Sequence, residues 1–491
     1  MPDSFEHMPP VAIRMPNGAL ASLAGNIDPH HHVAVADLIL VQSSVRATIE
    51  RMVRDLQPDI VGLSVMTFQR ATALRIARLV RALRPSARIV VGGYDPSLDV
   101  DAYVSSPDVD FIVRGEGEHT LCELLRALEN DRGPAGIAGL SYRTPDGVVH
   151  NRDRAVVALA SSGLRLPNRG ARVLGGYTLL GRRVDVVETS RGCTYDCSFC
   201  SIIEMRGRNF HPYAIDRVLA DIADARGHGA EAIFLVDDNI TLDIDRFEAL
   251  CQAIVDAGFD DGDYIVQAMT APLAQHGARL APLMKRAGFR YVFLGIENIL
   301  DQDLAFLRAG AKNAHREKGR TIGNASLEAI RHLHAYGMYV VGGLIVGNPD
   351  DTRASIETNL AFARRYVDWP YIQHPTPYPR TPMTRDFRDR GLIVDEDVSH
   401  YDGTTAVVRS EHMSAEDIEF LRWRADRWMK MKHLPAAFLH SPLFVLRHSL
   451  AMLSHTFAGS TLRSALGLES ERAVFARYRQ RRRQEQAACA A

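Results

Sequence analysis

Three cysteines fall within one short loop: Cys193, Cys197 and Cys200, in the run Thr189-Ser190-Arg191-Gly192-Cys193-Thr194-Tyr195-Asp196-Cys197-Ser198-Phe199-Cys200. The spacing is C-x3-C-x2-C. Three soft thiolates on one loop can hold three irons of a cubane cluster and leave the fourth open. An open iron is a place for chemistry, whereas a fourth cysteine would close the site and leave an electron carrier. The competing reading is a structural zinc site. Zinc takes four ligands, usually from two Cys or Cys/His pairs. The nearest extra ligand is His211, and no second pair exists. Cys122, Cys251 and Cys489 stand alone in apolar or helical surroundings and read as core or tail residues.

Elements must position that loop, and the chain is long enough to supply them. It has 491 residues, sufficient for two domains and an appendage. A hydrophobic content of 46% with 24% charged residues is that of a soluble globular protein. The net charge of −1 gives no electrostatic ground for bulk nucleic-acid binding, and no nucleic-acid partner is expected. Six cysteines, three of them in one motif, are not a disulfide framework; they point to a reducing, cytoplasmic setting. Met1-Pro2-Asp3-Ser4-Phe5-Glu6 lacks the basic and apolar regions of a signal peptide. No uncharged apolar run reaches the ~18 residues of a spanning helix.

Residues from about 30 to 130 alternate strands and amphipathic helices. After an apolar run over 33–40, a buried strand is predicted at 59–66, further strands at 89–93 and 111–115, and helices at 71–84 and 120–128. In the first helix Arg75, Arg78, Arg81 and Arg84 occupy one side, and Leu74, Ala77, Val80 and Leu83 form the opposite stripe. Strands rich in β-branched residues separated by such helices make a parallel, doubly wound sheet. Ligands bind at the carboxyl ends of its strands. Those ends carry Ser64, Met66, Thr67, Gly92, Gly93, Gly115, Glu116, Gly117 and Glu118. A first strand before residue 30 is hard to find, so the domain starts abbreviated. Residues 136–180 read as a linker with strand-like pieces, including 139–143, and a turn at Pro145-Asp146-Gly147.

From about 184 the rhythm resumes. Strands are predicted at 184–189, 232–236, 264–268, 291–296, 339–346 and 371–375. Helices are predicted at 214–225, 246–257, 279–287, 327–336 and 354–364. Six βα units suit a partial barrel, whose chemistry sits at the carboxyl ends of the strands. The cysteine loop follows the first of these. Residues 401–491 lose the rhythm. The stretch 417–433 reads as a helix with Trp423 and Trp428, and the apolar stretch 434–462 suits helices that cap the barrel mouth, shape a greasy pocket or touch a membrane surface. The basic run 477–483 reads as a solvated, frayed end.

The cysteine motif, with Phe199 just before the third cysteine, resembles the radical SAM superfamily. The resemblance implies a [4Fe-4S] cluster whose open iron binds S-adenosylmethionine, and reductive cleavage to a 5′-deoxyadenosyl radical. The N-terminal segments Gly62-Leu63-Ser64, Val91-Gly92-Gly93 and Val113-Arg114-Gly115-Glu116-Gly117-Glu118 resemble the cobalamin-binding domain found ahead of many radical SAM domains. A generic flavodoxin-like domain with tight turns gives a similar pattern, because fold alone does not fix a ligand. Cobalamin domains of the methionine-synthase type carry Asp-x-His-x-x-Gly. Asp28-Pro29-His30-His31-His32-Val33 ends in Val33 instead, so these histidines read as a solvated turn, with no protein histidine on cobalt.

Further segments match in part. Val236-Asp237-Asp238-Asn239 stands where many members have Gly-Gly-Glu against the methionine amino group; a helix N-cap is the alternative. Gly295-Ile296-Glu297-Asn298 resembles the Gly-x-Glu-Ser/Asn segment facing the cofactor, with a capping turn as the alternative. Gly342-Gly343-Leu344-Ile345-Val346-Gly347-Asn348-Pro349 resembles the strand beneath the adenine, which a plain buried strand would also match. Pro377-Tyr378-Pro379-Arg380-Thr381-Pro382 resembles Pro-Tyr-Pro-Gly-Thr-Pro with Arg380 for glycine; Tyr378 is a candidate pocket residue, and a rigid proline loop is the other reading.

Together these give an α/β expectation. An N-terminal doubly wound Rossmann-like cobalamin-binding domain (1–135) is followed by the linker, a partial (β/α)6 TIM-type radical SAM barrel (181–400) and a helical C-terminal region (401–491). Metal ligands are Cys193, Cys197 and Cys200. The resemblance implies S-adenosylmethionine contacts at Phe199, Asp237, Asp238, Glu297 and Gly343. It implies cobalamin contacts at Ser64, Met66, Thr67, Gly92, Gly93, Glu116, Gly117 and Glu118. The implied activity is methylation of an unactivated carbon of a small or lipid-like molecule, with electrons from a reductase, flavodoxin or ferredoxin. The alternatives are a cyclase or rearrangement enzyme using the same cofactors, and a cobalamin- or redox-sensing binding protein. Peripheral membrane contact is a further expectation. A methylthiotransferase is disfavoured, since no second three-cysteine set or RNA-binding tail is present.

Overall fold

The computed structural model describes residues 13–317, 320–440, 442–443, 445–447, 464 and 466–490. Helix α1 (Gly18–Asn26) leads into α2 (Val45–Leu56) and then the first sheet. Strands β1 (Ile60–Ser64), β2 (Arg88–Gly92) and β3 (Phe111–Val113) are parallel, with α3 (Arg70–Leu83) crossing between β1 and β2. Alternate residues face opposite sides, as the twofold period of a strand requires. Ile89, Val91 and Ile112 pack with Ile49, Val53, Ile76 and Val80 of α2 and α3. Val90, Phe111 and Val113 pack with Leu124 of α4 (Gly117–Glu129). Each such side chain buried on both faces contributes roughly 1.5–3 kcal/mol.

Two differences from the sequence reading concern the edges of this sheet. Strand β1 forms one edge and is half-buried, with Gly62 exposed, rather than being a fully buried strand. No described strand precedes it in the sheet, in keeping with an abbreviated start. At the other edge, β4 (Leu140–Thr144) and β5 (Gly147–His150) form an antiparallel hairpin paired to β3. These residues lie within the stretch read as linker. Tyr142 and Leu140 join the core on the α4 side, so burial keeps the hairpin on the sheet.

The second sheet has eight strands. Six are parallel and in sequence order: β6 (Arg182–Val187), β7 (Ala232–Leu235), β8 (Asp263–Met269), β9 (Phe289–Glu297), β10 (Tyr339–Ile345) and β11 (Trp369–Gln373). Helices α5 (Ile215–Gly227), α6 (Ile244–Asp256), α7 (Thr270–Arg286), α8 (Ser326–Ala335) and α9 (Arg353–Tyr366) fall between the later strands. This is the expected partial barrel. Two short antiparallel strands, Thr178–Leu179 and Ile13–Arg14, extend its first edge, tying the N-terminal segment to the second sheet.

The C-terminal helices α10 (Ala415–His440) and α11 (Glu471–Ala490) pack on the barrel core. The rings of Trp423 and Phe475 lie 5.4 Å apart. Arg422, 2% exposed, donates to the carbonyl of Ile372 at 2.7 Å, fastening α10 to β11. The basic run is only partly a solvated end: Arg477, Arg481 and Arg483 are exposed, whereas Arg479 and Arg482 are not. Arg482 is buried against Asp402 at 2.5 Å, and Arg479 pairs with Glu416 at 2.8 Å. Carboxylates from distant segments neutralise these last two arginines, and local charge counting does not see them. The side chains of Trp428 and Cys489, and most of residues 441–462 within the apolar stretch 434–462, lie outside the described residues. Among the described residues, no helix is long and apolar enough to cross a membrane.

Candidate active site

The first barrel strand delivers the cysteine loop. After β6, Ser190–Arg191 pairs with His211–Pro212 and fixes the loop's entry. Gly192 follows with φ 91°, and a Cβ there would lie 2.5 Å from the Asn209 carbonyl oxygen, so only glycine fits the turn. Cys193 and Cys197 are buried and Cys200 half-buried. Burial pushes the Cys197 thiol up to about 11 and the Cys200 thiol to about 12. Such thiols stay protonated unless a cation compensates their charge, which iron does. Cys122 lies in α4 and Cys251 in the core face of α6, on elements other than this loop. Three sulfur donors on one tight loop fit a cubane with one iron not held by cysteine.

The residues just beyond β7 brace this loop. Both carboxylate oxygens of Asp237 are engaged: Oδ1 accepts from the Thr189 amide and Oδ2 from the Ser190 hydroxyl, each at 2.6 Å, and Thr189 Oγ1 also donates to Oδ2. Asp238 accepts from the Gly192 amide at 2.7 Å and pairs with Arg206 at 3.2 Å. Asn239 Nδ2 lies 3.8 Å from Cys193 Sγ. None of the three caps α6; that role belongs to Asp243, which accepts from the Arg246 amide at 2.9 Å. At the end of β9, Glu297 (φ 59°) pairs with buried Lys312, whose ammonium sits 5.3 Å from the centre of the Phe199 ring. The capping turn there is made by Asn298, which accepts from the Leu300 amide at 2.9 Å. Gly343 lies in β10, where an added Cβ would meet the Phe293 ring at 3.1 Å. Phe199 and Tyr378 pack on one apolar cluster with Met383 and Phe387, and Tyr378 donates to the Tyr401 carbonyl at 3.3 Å. Arg380 keeps a positive φ of 69°, the backbone geometry for which glycine suits this turn.

A cavity of about 1220 Å³ runs along β1 and β2 to their carboxyl ends, where it meets the cysteine side of the barrel. Ser64, Met66, Gly92, Gly93, Glu116, Gly117 and Glu118 line it, whereas Thr67 is buried and does not. Gly93 has φ 103° and ψ −162°, a glycine-only conformation, and an added Cβ would sit 2.9 Å from the Val65 amide nitrogen. The opposite wall includes Glu188, Arg191, Arg206 and Asp238. The size and the open, glycine-bearing strand ends fit a large flat cofactor with a nucleotide tail. His31 and His32 also line the cavity, while His30 is exposed and pairs with Glu129 at 2.9 Å.

In the sequence, Arg191 is marked only by its place two residues before Cys193. It is shared by two carboxylates of unequal character. It bonds Glu118 at 2.6 Å and holds that carboxyl down at about 2, against the opposing effect of burial. It also bonds Glu188 at 2.8 Å, yet burial there prevails and raises Glu188 to about 7. Lys312 and Glu188 carry no motif that sequence reasoning could have used; only their tertiary partners mark them.

Family models agree with this division. The B12 binding domain model matches residues 7–125, and the Radical SAM superfamily model matches residues 187–363. An uncharacterized methyltransferase of Pyrococcus horikoshii is 27% identical over 412 residues, covering 83% of this chain and 86% of that protein. An anaerobic magnesium-protoporphyrin IX monomethyl ester cyclase of Cereibacter sphaeroides is 24% identical over 421 residues, covering 84% and 65%. The solved structure of the cobalamin-dependent S-adenosylmethionine radical enzyme OxsB, with aqua-cobalamin and S-adenosylmethionine bound, superposes with a TM-score of 0.65 at 18% identity, covering 96% of this chain and 73% of that one. With a B12-binding domain set against a radical SAM barrel, the chain is a radical SAM enzyme of the cobalamin-binding-domain-containing family.

Proposed function

We propose that this enzyme methylates an unactivated carbon of a small or lipid-like molecule. One observation carries the reading: a single cavity is walled on one side by the strand ends of the B12-binding domain and on the other by residues flanking the cysteine loop. A substrate held there would face both cofactor sites. When bound, the cluster and cobalamin supply reductive cleavage of S-adenosylmethionine and transfer of a methyl group.

The chain's own residues do the holding. Cys193, Cys197 and Cys200 would ligate the cluster. Asp237 and Asp238 fix the loop that carries them. Phe199, Glu297 and Lys312 gather beside the cysteines, where a carboxylate and an ammonium suit the zwitterionic methionine end of S-adenosylmethionine. Glu116 and Glu118 set the turn against which cobalamin would seat. Electrons would come from a flavodoxin- or ferredoxin-type donor in a reducing cytoplasm. Leu439, 81% exposed on α10, is the observation behind lipid-surface contact.

The cyclase relative supports a second reading with the same cofactors and no methyl transfer. Reconstituted enzyme given reductant and methyl-labelled S-adenosylmethionine separates them without knowledge of the substrate. Methylation predicts that label moves to cobalamin. Deoxyadenosine formation with unlabelled cobalamin would favour cyclisation.

A further inference from the structure

One side chain bridges the two domains directly beside the cysteine loop. Arg191 stands two residues before Cys193, and its side chain is 5% exposed. It reaches out of the barrel to the Gly-Glu-Gly-Glu turn of the B12-binding domain. Its Nη2 donates to Glu118 Oε1 at 2.6 Å, and its Nη1 lies 3.7 Å from Glu116 Oε1. Its Nε donates to Glu188 Oε2 at 2.8 Å, anchoring it to its own domain. On the far side of the cysteines, Arg206 repeats the arrangement more loosely. It lies 3.9 Å from Glu116 and 3.2 Å from Asp238, and Asp238 in turn holds the Gly192 amide. The loop is therefore gripped before and after its cysteines by the carboxylates of one turn. That turn also lines the cavity, through Glu116, Gly117 and Glu118. Ser22 of α1 donates to Glu118 Oε1 at 2.7 Å, which fixes the carboxylate from behind.

We propose that Arg191 is a positioning residue that couples cobalamin binding to the geometry of the cysteine loop; the inference rests on the two-cofactor reading above. A ligand seated on the Glu116–Glu118 turn and a ligand seated on the cysteine loop act on the same buried contacts. Each must then alter the other's affinity by an equal factor, because binding linkage is reciprocal. Arginine suits this role better than lysine. Its planar fork serves Glu118 and Glu188 at once, whereas an ammonium is a single point charge.

The test measures cobalamin affinity by visible titration, with and without S-adenosylmethionine, on anaerobically reconstituted full-length enzyme. Iron and sulfide are assayed on the same samples, and the electron paramagnetic resonance spectrum of the reduced cluster is recorded with and without hydroxocobalamin. In the wild type the two ligands change one another's affinity about fivefold or more, and cobalamin alters the cluster spectrum. In Arg191→Met the factor falls to about one while each ligand still binds, with Arg191→Lys in between. Glu118→Gln, altered in the other domain, covers the case in which Arg191→Met fails to assemble a cluster, and it loses the coupling too. Wild-type coupling retained in Arg191→Met or, where that variant lacks a cluster, in Glu118→Gln overturns the inference. A wild-type factor of one with both cofactors bound also overturns it and leaves the two-cofactor reading standing. Wild-type protein that takes up no cobalamin contradicts that reading itself.

Discussion

The Gly192 amide donates to Asp238 Oδ2 at 2.7 Å, so the residue before the first cysteine is fixed by a side chain just beyond the second barrel strand. The iron-binding loop is thus held by its neighbour in the sheet as well as by its own turn.

Removing that support should loosen the loop before it unfolds the protein. Asp238→Ala is expected to cost about 1–3 kcal/mol and to lower iron and sulfide per chain after reconstitution. Asp237→Ala should cost more, because it strands a buried amide and two hydroxyls at once. Urea denaturation and iron assays on the two variants check the order.

Lys312→Met leaves Glu297 buried without its partner, at an expected cost of about 3–5 kcal/mol. Adding Glu297→Gln removes the stranded charge, so the double variant should recover part of the loss. Denaturation of the metal-free proteins measures this without reference to activity. Equal stability of the single and double variants would contradict a tight pair.

Gly93→Ala forces a side chain into a glycine-only conformation beside Val65, at the end of a strand lining the cavity. About 1–3 kcal/mol of strain corresponds to roughly fivefold to 150-fold in affinity if it falls on the cofactor-bound state. Visible titration with hydroxocobalamin should show that weakening, with the fold retained by circular dichroism.

Glu188 gives a pH dependence of known sign. Its folded value of about 7 lies above its ordinary 4.5, so the folded state holds a proton that the unfolded chain releases. That contribution to stability is complete below pH 4.5 and disappears as pH rises through 7. Stability of the wild type should therefore fall relative to Glu188→Gln across this interval, as urea midpoints would register. A difference that stays flat or grows with pH would contradict a protonated, half-buried Glu188.

What the sequence disclosed and what it concealed follow from the range of the interactions involved. The parallel strands announced themselves as β-branched runs, and the cysteine loop by its spacing. Helix α7 was read as starting at residue 279 but begins at Thr270. Pro272 and Gly277 resemble loop residues in sequence. In the fold, proline sits in the tolerated first turn. Gly277 lets α8 come close: an added Cβ would lie 2.5 Å from the His332 ring. The edge strands Ile13–Arg14 and Thr178–Leu179 are two residues each, too short for any periodicity to register. Asp237 carried an expected cofactor role, yet its oxygens are committed to Thr189 and Ser190. The Arg191–Glu118 and Lys312–Glu297 pairs join residues whose proximity only the folded chain creates.

The proposed chemistry requires Cys193, Cys197 and Cys200 to hold a cubane with one corner open to S-adenosylmethionine. The most direct measurement is electron paramagnetic resonance of the anaerobically reduced cluster before and after S-adenosylmethionine is added, with deoxyadenosine quantified in the same tube. A changed spectrum and deoxyadenosine are expected, both absent in Cys197→Ala. A fully loaded cluster whose spectrum ignores S-adenosylmethionine, with no deoxyadenosine above that variant, would contradict it.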